Sequence, residues 1–214
     1  MKKIILIGDS IRMGYDKYVK EALKNSAEVY YPGENCRFAE YVLRYAHEWA
    51  KVSGFCGEAD LVHWNAGLWD CLELFDDGPL TSIEYYKETI ARIDRRLRML
   101  FPKAKMIFAT STPVLEHKCS PDFRRHNSII EKYNEAAIKA LKNTGAKIND
   151  LYALIEKCPE TYYSDFVHLY TNEGTQLLGN KVLETITTEL GISTLKVEMK
   201  TFKPEEYSKE NIGG

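Results

Sequence analysis

Five short strand-like segments, each followed by a segment with helical periodicity, constrain the fold of this chain more than any other feature. The first, residues 3–7, is rich in β-branched residues and ends at Gly8. An apolar run without polar alternation is typical of a strand buried on both faces. The predicted strands are residues 3–7, 27–31, 60–65, 105–110 and 146–149.

Helical periodicity separates these strands. It is clearest in residues 82–100, where Ile83, Tyr86, Ile90 and Ile93 recur at three- or four-residue spacing. Strands that alternate with helices indicate a parallel sheet covered by helices on both faces. We therefore predict an α/β fold, a single three-layer α/β/α domain with a five-stranded parallel sheet in flavodoxin-like order. The predicted helices are residues 14–25, 38–52, 82–100, 127–143 and 172–190, and the predicted loops are residues 71–80 and 114–124.

The chain length and charge narrow the class of protein. The 214 residues fit one domain, which we place at residues 1–193, followed by a loosely held polar C-terminal tail at residues 194–214. The 29 basic and 31 acidic residues give a net charge of −2, which does not indicate a nucleic-acid-binding surface. The oligomeric state stays open.

The sequence offers no sign of export, of a membrane span or of a bound cofactor. The apolar run after Lys3 has four residues, whereas a signal peptide needs roughly 7–15 and a membrane span about 20. Five cysteines without a C-x-x-C pair favour reduced thiols, so we expect a cytoplasmic location. The five histidines lack metal-ligand spacing, and we expect no metal or other cofactor.

Polar residues follow the predicted strands, at the edge where ligands bind in an open parallel sheet. Ser10 follows the first strand, and Asp165 and His168 precede the last helix. A serine hydroxyl is a weak nucleophile until a base removes its proton, and histidine titrates in the right range for that base. Asp165 lies three residues before His168, so one turn can direct both side chains to the same place. A carboxylate there orients the imidazole.

These segments resemble the SGNH (GDSL) hydrolases over about residues 3–190. Gly8, Asp9 and Ser10 match the first block of that family, Gly33 fits its glycine block, and Asp165-x-x-His168 matches its last block. The resemblance implies a carboxylic ester hydrolase that acts on a small-molecule ester. It also implies Ser10 as nucleophile, His168 as general base and Asp165 as the orienting carboxylate. The amides of Ser10 and Gly33, with an asparagine side chain, would form the oxyanion hole.

The block after the third strand departs from the pattern of the family, which is Gly-x-Asn-Asp. Aligned on Gly67 and Asp70, the asparagine position is occupied by Trp69. Asn65 is the nearby amide and lies at the end of the strand, so we predict that Asn65 completes the oxyanion hole. The alternative is that Asn65 only caps the loop and the hole has two donors.

Four further residues are candidates for substrate binding. Arg12 could contact a polar substrate or could be a solvated cation at a helix start. Asn35 and Arg37 flank the glycine turn and could bind sugar hydroxyls or an acid group. Trp69 could form an aromatic wall or could only pack.

Two classes of function remain open. The first is a serine esterase that hydrolyses small O-acyl esters, with acetyl esters of a carbohydrate as the predicted substrates and a lysophospholipase or thioesterase as alternatives of the same chemistry. The second is a non-catalytic binding module on the same scaffold. A flavin or nucleotide protein is disfavoured, because the loop after the first strand lacks a phosphate-binding glycine pattern.

Overall fold

The computed structural model describes residues 1–199 and contains a central parallel sheet. Five strands form this sheet in the order β2-β1-β3-β5-β7, with every neighbouring pair parallel. The order and the three-layer fold confirm the prediction. The strands of the described residues are β1 (Lys2–Ile7), β2 (Ala27–Tyr30), β3 (Leu61–Trp64), β4 (Glu73–Leu74), β5 (Lys105–Ala109), β6 (Phe123–Arg124) and β7 (Lys147–Asn149).

The helices cover the sheet in two groups. The described helices are α1 (Ser10–Met13), α2 (Asp16–Leu23), α3 (Ala39–Ser53), α4 (Ile83–Leu100), α5 (Asn127–Leu141), α6 (Leu151–Ile155) and α7 (Asn172–Leu190), with 3₁₀ turns at Glu116–Lys118 and Glu160–Tyr162. Helices α3, α4 and α5 pack side by side, whereas α2 packs against α7. Strand β3 is buried along its whole length, as a strand covered on both faces must be.

The core forms where the sequence patterns predict it. Ile4, Ile5, Leu6 and Ile7 of β1 are at most 1% exposed. Burial of each such side chain contributes roughly 1.5–3 kcal/mol before the entropy of folding is subtracted. The core therefore fixes β1 at the centre of the domain, and the residues after Ile7 lie at the carboxyl edge of the sheet.

A second, two-stranded sheet lies within segments that were predicted as loops. Strand β4 pairs with β6 in antiparallel fashion, Glu73 opposite Arg124 and Leu74 opposite Phe123. Each strand has only two residues and its partner lies about 50 residues away, so neither has a recognisable pattern. The prediction of loops at residues 71–80 and 114–124 was wrong at these positions.

The first part of the predicted tail packs against the domain. The backbone N–H of Leu195 donates to the carbonyl oxygen of Ala22 at 2.8 Å, and Val197 is 6% exposed. Residues 200–214 lie outside the described residues, so a loosely held tail stays a prediction for them. Among residues 1–199, no helix is both long and apolar enough to cross a membrane.

Candidate active site

Ser10, His168 and Asp165 form a continuous chain of hydrogen bonds. The Nε2 atom of His168 lies 2.9 Å from Ser10 Oγ, and its Nδ1 atom lies 2.7 Å from Asp165 Oδ2. Ser10 is the first residue of α1, and Asp9 caps that helix by accepting from the Ile11 N–H at 3.0 Å. The structure thus brings together the three residues that the resemblance implies as nucleophile, base and orienting carboxylate, and these roles stay predictions.

The loop of residues 164–170, the His168 loop, holds Asp165 and His168 in place through its own backbone. Asp165 Oδ1 accepts from the N–H groups of Val167 and His168, each at 2.7 Å. Burial acts to raise the pKa of Asp165, but these bonds and the His168 ring together lower it below its usual value. Asp165 is therefore ionised and accepts from Nδ1, so Nε2 can take the Ser10 proton.

Tyr170 contacts two of these three residues, His168 and Ser10. Its ring stacks on the His168 ring with centroids 4.8 Å apart, and its hydroxyl donates to the Ser10 carbonyl oxygen at 2.5 Å. A Cβ on Gly14 would lie 2.7 Å from the Tyr170 ring, so only glycine leaves room for this contact. We did not predict a role for Tyr170, because a single tyrosine two residues after a histidine carries no signal in the sequence.

Asn65 lies directly against the turn that carries Ser10. Its N–H donates to the Ile7 carbonyl oxygen at 3.0 Å, which continues the pairing of β1 with β3. A Cβ on Gly8 would lie 1.9 Å from Asn65 Oδ1, so Gly8 is glycine because Asn65 occupies that space. Burial raises the pKa of Asp9, and a side-chain contact with Asn65 acts against this. Asn65 is therefore near Ser10, and its role as a donor stays a prediction.

The turn of residues 33–37, the glycine turn, has an exposed part and a buried part. Gly33 is exposed, with nothing within 4 Å of the position of a Cβ. Asn35 is 4% exposed, and its Oδ1 accepts from the Arg37 N–H at 2.9 Å. Arg37 has φ 51° and its guanidinium lies 5.3 Å from the ring centre of Tyr41. Asn35 shapes this turn, and the predicted roles of Gly33, Asn35 and Arg37 stay predictions.

Arg12 is not a rim residue, and the prediction that it contacts substrate was wrong. The Arg12 side chain is 1% exposed, and its N–H groups donate hydrogen bonds to acceptors within the protein. Burial acts to lower the pKa of Arg12, but Asp16 raises it above its usual range. The guanidinium ties the Ser10 turn to the glycine turn through Asp16, the Cys36 thiol and three carbonyl oxygens, those of Gly8, Pro32 and Glu34.

The loop of residues 65–70, the Asn65 loop, ends in a buried carboxyl group. Asp70 is fully buried, and its Oδ2 accepts from the Ala39 N–H at the start of α3 at 3.0 Å. Burial raises the pKa of Asp70 to about 7. Trp69, one residue earlier, is only half-buried, which leaves its predicted role as a wall of the site open.

The other four histidines lie apart from this chain of hydrogen bonds. His63 is a fully buried residue of β3, its Nε2 atom lies 3.1 Å from Asn149 Nδ2, and burial lowers its pKa to about 3. His47, His117 and His126 lie at the surface beside glutamates. Within residues 1–199, no group of three His, Cys, Asp or Glu side chains is arranged to hold a metal ion. Metal independence stays a prediction.

The fold is shared with solved structures of ester hydrolases. A lipase/acylhydrolase from Enterococcus faecalis superposes with a TM-score of 0.68 at 19% identity, covering 92% of this chain and 100% of that one. A GDSL-like lipase from Bacteroides thetaiotaomicron gives 0.64 at 20% identity, covering 89% of both chains. Axe2, an acetylxylan esterase from Geobacillus stearothermophilus, gives 0.66 at 16% identity, covering 92% of this chain and 97% of that one.

These similarities confirm the predicted fold resemblance. No family profile matches the chain, and no curated protein sequence matches it.

Proposed function

We propose that this protein is a serine ester hydrolase that removes small O-acyl groups, acetyl above all, from a carbohydrate. The observation that carries the proposal is the chain of hydrogen bonds from Ser10 through His168 to Asp165, at 2.9 and 2.7 Å. A serine, an imidazole and an ionised carboxylate in this order are the parts that acyl transfer requires.

In the first half of the reaction, Ser10 Oγ attacks the acyl carbonyl carbon while His168 Nε2 takes its proton. Asp165 stabilises the imidazolium that forms. The tetrahedral intermediate then collapses, and His168 gives the proton to the leaving alcohol oxygen. In the second half, His168 takes a proton from a water that attacks the acyl carbon, and then gives that proton to Ser10 Oγ as the acyl–Oγ bond breaks and the acid leaves.

The developing oxyanion needs donors beside Ser10. The Ser10 N–H lies in the first turn of α1, where helix amides lack an acceptor within the helix. Asn65 and Gly33 are the two further donors of the proposal, and Asn65 packs against Gly8 in the same turn. Each donor contributes roughly 3–4 kcal/mol to the stability of the transition state in related chemistry.

The acetyl and carbohydrate parts rest on two supports. Axe2 is an acetylxylan esterase with the same fold. The half-buried Trp69 and Arg37 are residue types that suit a sugar, since an aromatic ring can stack on a sugar face and a guanidinium can donate to hydroxyl groups. With Arg12 buried, Asn35, Arg37 and Trp69 are the remaining candidates for the alcohol part of the substrate.

A panel of chromogenic acyl esters tests the proposal. We expect the protein to hydrolyse acetate esters faster than octanoate esters, and to release acetate from acetylated oligosaccharides. Ser10→Ala should remove this activity. Ser26→Ala is the matched control, and this variant should keep the activity. Ser26 lies beside the start of β1, at the opposite end of the strand from Ser10.

If another class of ester is hydrolysed fastest, or if none is hydrolysed, the panel supports one of the alternative functions. Faster turnover of thioesters or lysophospholipids would replace the acetyl-ester assignment while keeping the chemistry. Equal, background-level rates for the natural chain and Ser10→Ala on every ester would leave a binding module.

A further inference from the structure

Arg125 is a buried cation without a counter-ion among residues 1–199. It follows β6 and is 3% exposed. Its Nε–H donates to the carbonyl oxygen of Leu68, and its guanidinium lies 5.4 Å from the ring centre of Phe123. No carboxylate of the described residues lies within ion-pair distance of it. Because buried charges are normally paired, this guanidinium is expected to meet an anion from outside the chain.

The second observation is a cavity of about 220 Å³ that Arg125 lines together with Cys119, Ser120 and Pro121, among others. Two other ionisable side chains of this wall, Glu116 and His126, contact each other. Glu116 accepts from the Asn127 N–H at 2.7 Å and contacts His126 Nδ1 at 3.1 Å.

The neighbouring arginine, Arg124, differs from Arg125 in this respect. Arg124 forms ion pairs with Glu73 and Asp76. Within the described part of the wall, Arg125 is therefore the arginine that forms no ion pair with a protein carboxylate.

This cavity adjoins the His168 loop. The N–H of Leu115, next to the cavity wall, donates to the Phe166 carbonyl oxygen at 2.8 Å. The rings of Phe123 and Phe166 meet edge to face with centroids 6.3 Å apart. The His168 loop, whose His168 contacts Ser10, therefore packs against the segment that leads to Arg125, and the Arg125–Leu68 bond joins the same residue to the Asn65 loop.

The electrostatics agree with this placement. Burial raises the pKa of Asp9, and the charges of Arg125 and His168 both act to lower it. Burial lowers the pKa of Arg125 itself, while Asp9 and Asp165 act against that change. Arg125 is thus within electrostatic range of the residue before Ser10 and of the carboxylate behind His168.

We propose that Arg125 is a specificity residue that binds a carboxylate on the alcohol part of the ester, so that acyl esters of acidic sugars are the preferred substrates. This inference rests on the proposed function. With Nε held by Leu68, the two terminal nitrogens of the guanidinium form a fork that fits the two oxygens of a carboxylate. A buried setting strengthens such a bond and makes the unpaired state costly.

The test compares two substrates that differ at one carboxyl group, an O-acetylated glucuronic acid and its neutral methyl ester, with release of acetate as the measured reaction for both. We expect the natural chain to favour the free acid in kcat/KM. Arg125→Gln should lower kcat/KM for the acid by about 10- to 100-fold, since a hydrogen bond to a charged group is lost. The same variant should change kcat/KM for the methyl ester less than threefold. For the acid, Arg125→Lys should have a kcat/KM between those of the natural chain and Arg125→Gln.

Lys118→Gln is the matched control, because it removes one positive charge nearby. Lys118 is 47% exposed and pairs with Glu160. It should leave the preference for the acid unchanged. Equal kcat/KM for the acid and its methyl ester in the natural chain would overturn the proposal. So would an equal loss on both substrates in a folded Arg125→Gln protein.

A binding measurement keeps the proposal testable if the variant does not fold or if neither ester is cleaved. We expect glucuronate to raise the melting temperature of the natural chain and its methyl ester to leave it unchanged. Stabilisation by glucuronate without any ester hydrolysis would refute the proposed function and support the anion site. Hydrolysis of the neutral ester, with no change in melting temperature on addition of glucuronate, would support the proposed function and refute the anion site.

Discussion

The His168 loop and the Asn65 loop both adjoin the Ser10 turn, but they are built in different ways. In the His168 loop, Asp165 bonds to residues two and three positions away, so the geometry of the Asp165–His168 pair is local, even though Tyr170 of the same loop bonds to Ser10. In the Asn65 loop, the contacts reach distant parts of the chain, with Leu68 held by Arg125 and Asp70 bonded to Ala39. The comparison teaches that a pair held by local bonds can be recognised from its spacing, whereas contacts with distant partners cannot.

The two loops also differ in the charge state of their carboxyl groups. The pKa of Asp165 is lowered, because its hydrogen bonds and the His168 ring outweigh its burial. The pKa of Asp70 is raised to about 7, because burial outweighs the Ala39 N–H. We infer that the His168 loop supplies a fixed negative charge to the chemistry, while Asp70 serves mainly to anchor its loop.

The largest effect that tests this difference is expected from Asp165→Asn. The amide keeps the shape but no longer holds the His168 proton on Nδ1, so Nε2 loses its role as base. We expect kcat on an acetate ester to fall by about 10⁴-fold, as for loss of this charge in other serine hydrolases. Glu173→Gln, an exposed carboxylate in the first turn of α7, is the control and should keep full activity. A fall below tenfold in Asp165→Asn would mean that the His168 loop does not carry the chemistry.

A smaller effect on activity is expected from the Asn65 loop. Asn65→Ala should lower kcat by about 10²–10³-fold with little change in KM, because the oxyanion bears full charge only in the transition state. Trp69→Ala is the contrast from the same loop and should raise KM more than it lowers kcat. Steady-state kinetics on one acetate ester measure both. Near-normal kcat in Asn65→Ala would show that the hole is formed without this residue.

The smallest effect concerns stability and pH. The folded pKa of Asp70, about 7, lies above its unfolded value, so the folded state binds the extra proton between roughly pH 4 and 7. The stability of the natural chain should therefore fall relative to Asp70→Asn as the pH rises through this window, and the difference should stay constant above it. We expect a relative change of roughly 3–8 °C in melting temperature. If the melting temperatures of the natural chain and Asp70→Asn differ by a constant amount from pH 4 to 8, the raised pKa of Asp70 is contradicted.

The sequence contained enough information to predict the sheet, its order and the Ser10–Asp165–His168 set. The strands rest on local apolar runs and the Asp165–His168 pair on a short spacing, whereas Ser10, 158 positions from His168, was added through its place after the first strand and the family resemblance. Arg12 was misplaced because nothing local distinguishes a solvated cation from one that meets carbonyl groups 20 or more residues away. Tyr170, Arg125 and the β4–β6 pair escaped for the same reason, since their partners become neighbours only in the folded chain.

The central claim is that Ser10 is the nucleophile, and covalent labelling tests it most directly. A fluorophosphonate reacts with a serine only when a neighbouring base activates it. Peptide mass spectrometry after labelling should find the phosphonyl group on Ser10 in the natural chain, and no label on Ser10→Ala or His168→Ala. Absence of labelling in the natural chain, or a label on another residue that persists in Ser10→Ala, would contradict the proposed chemistry.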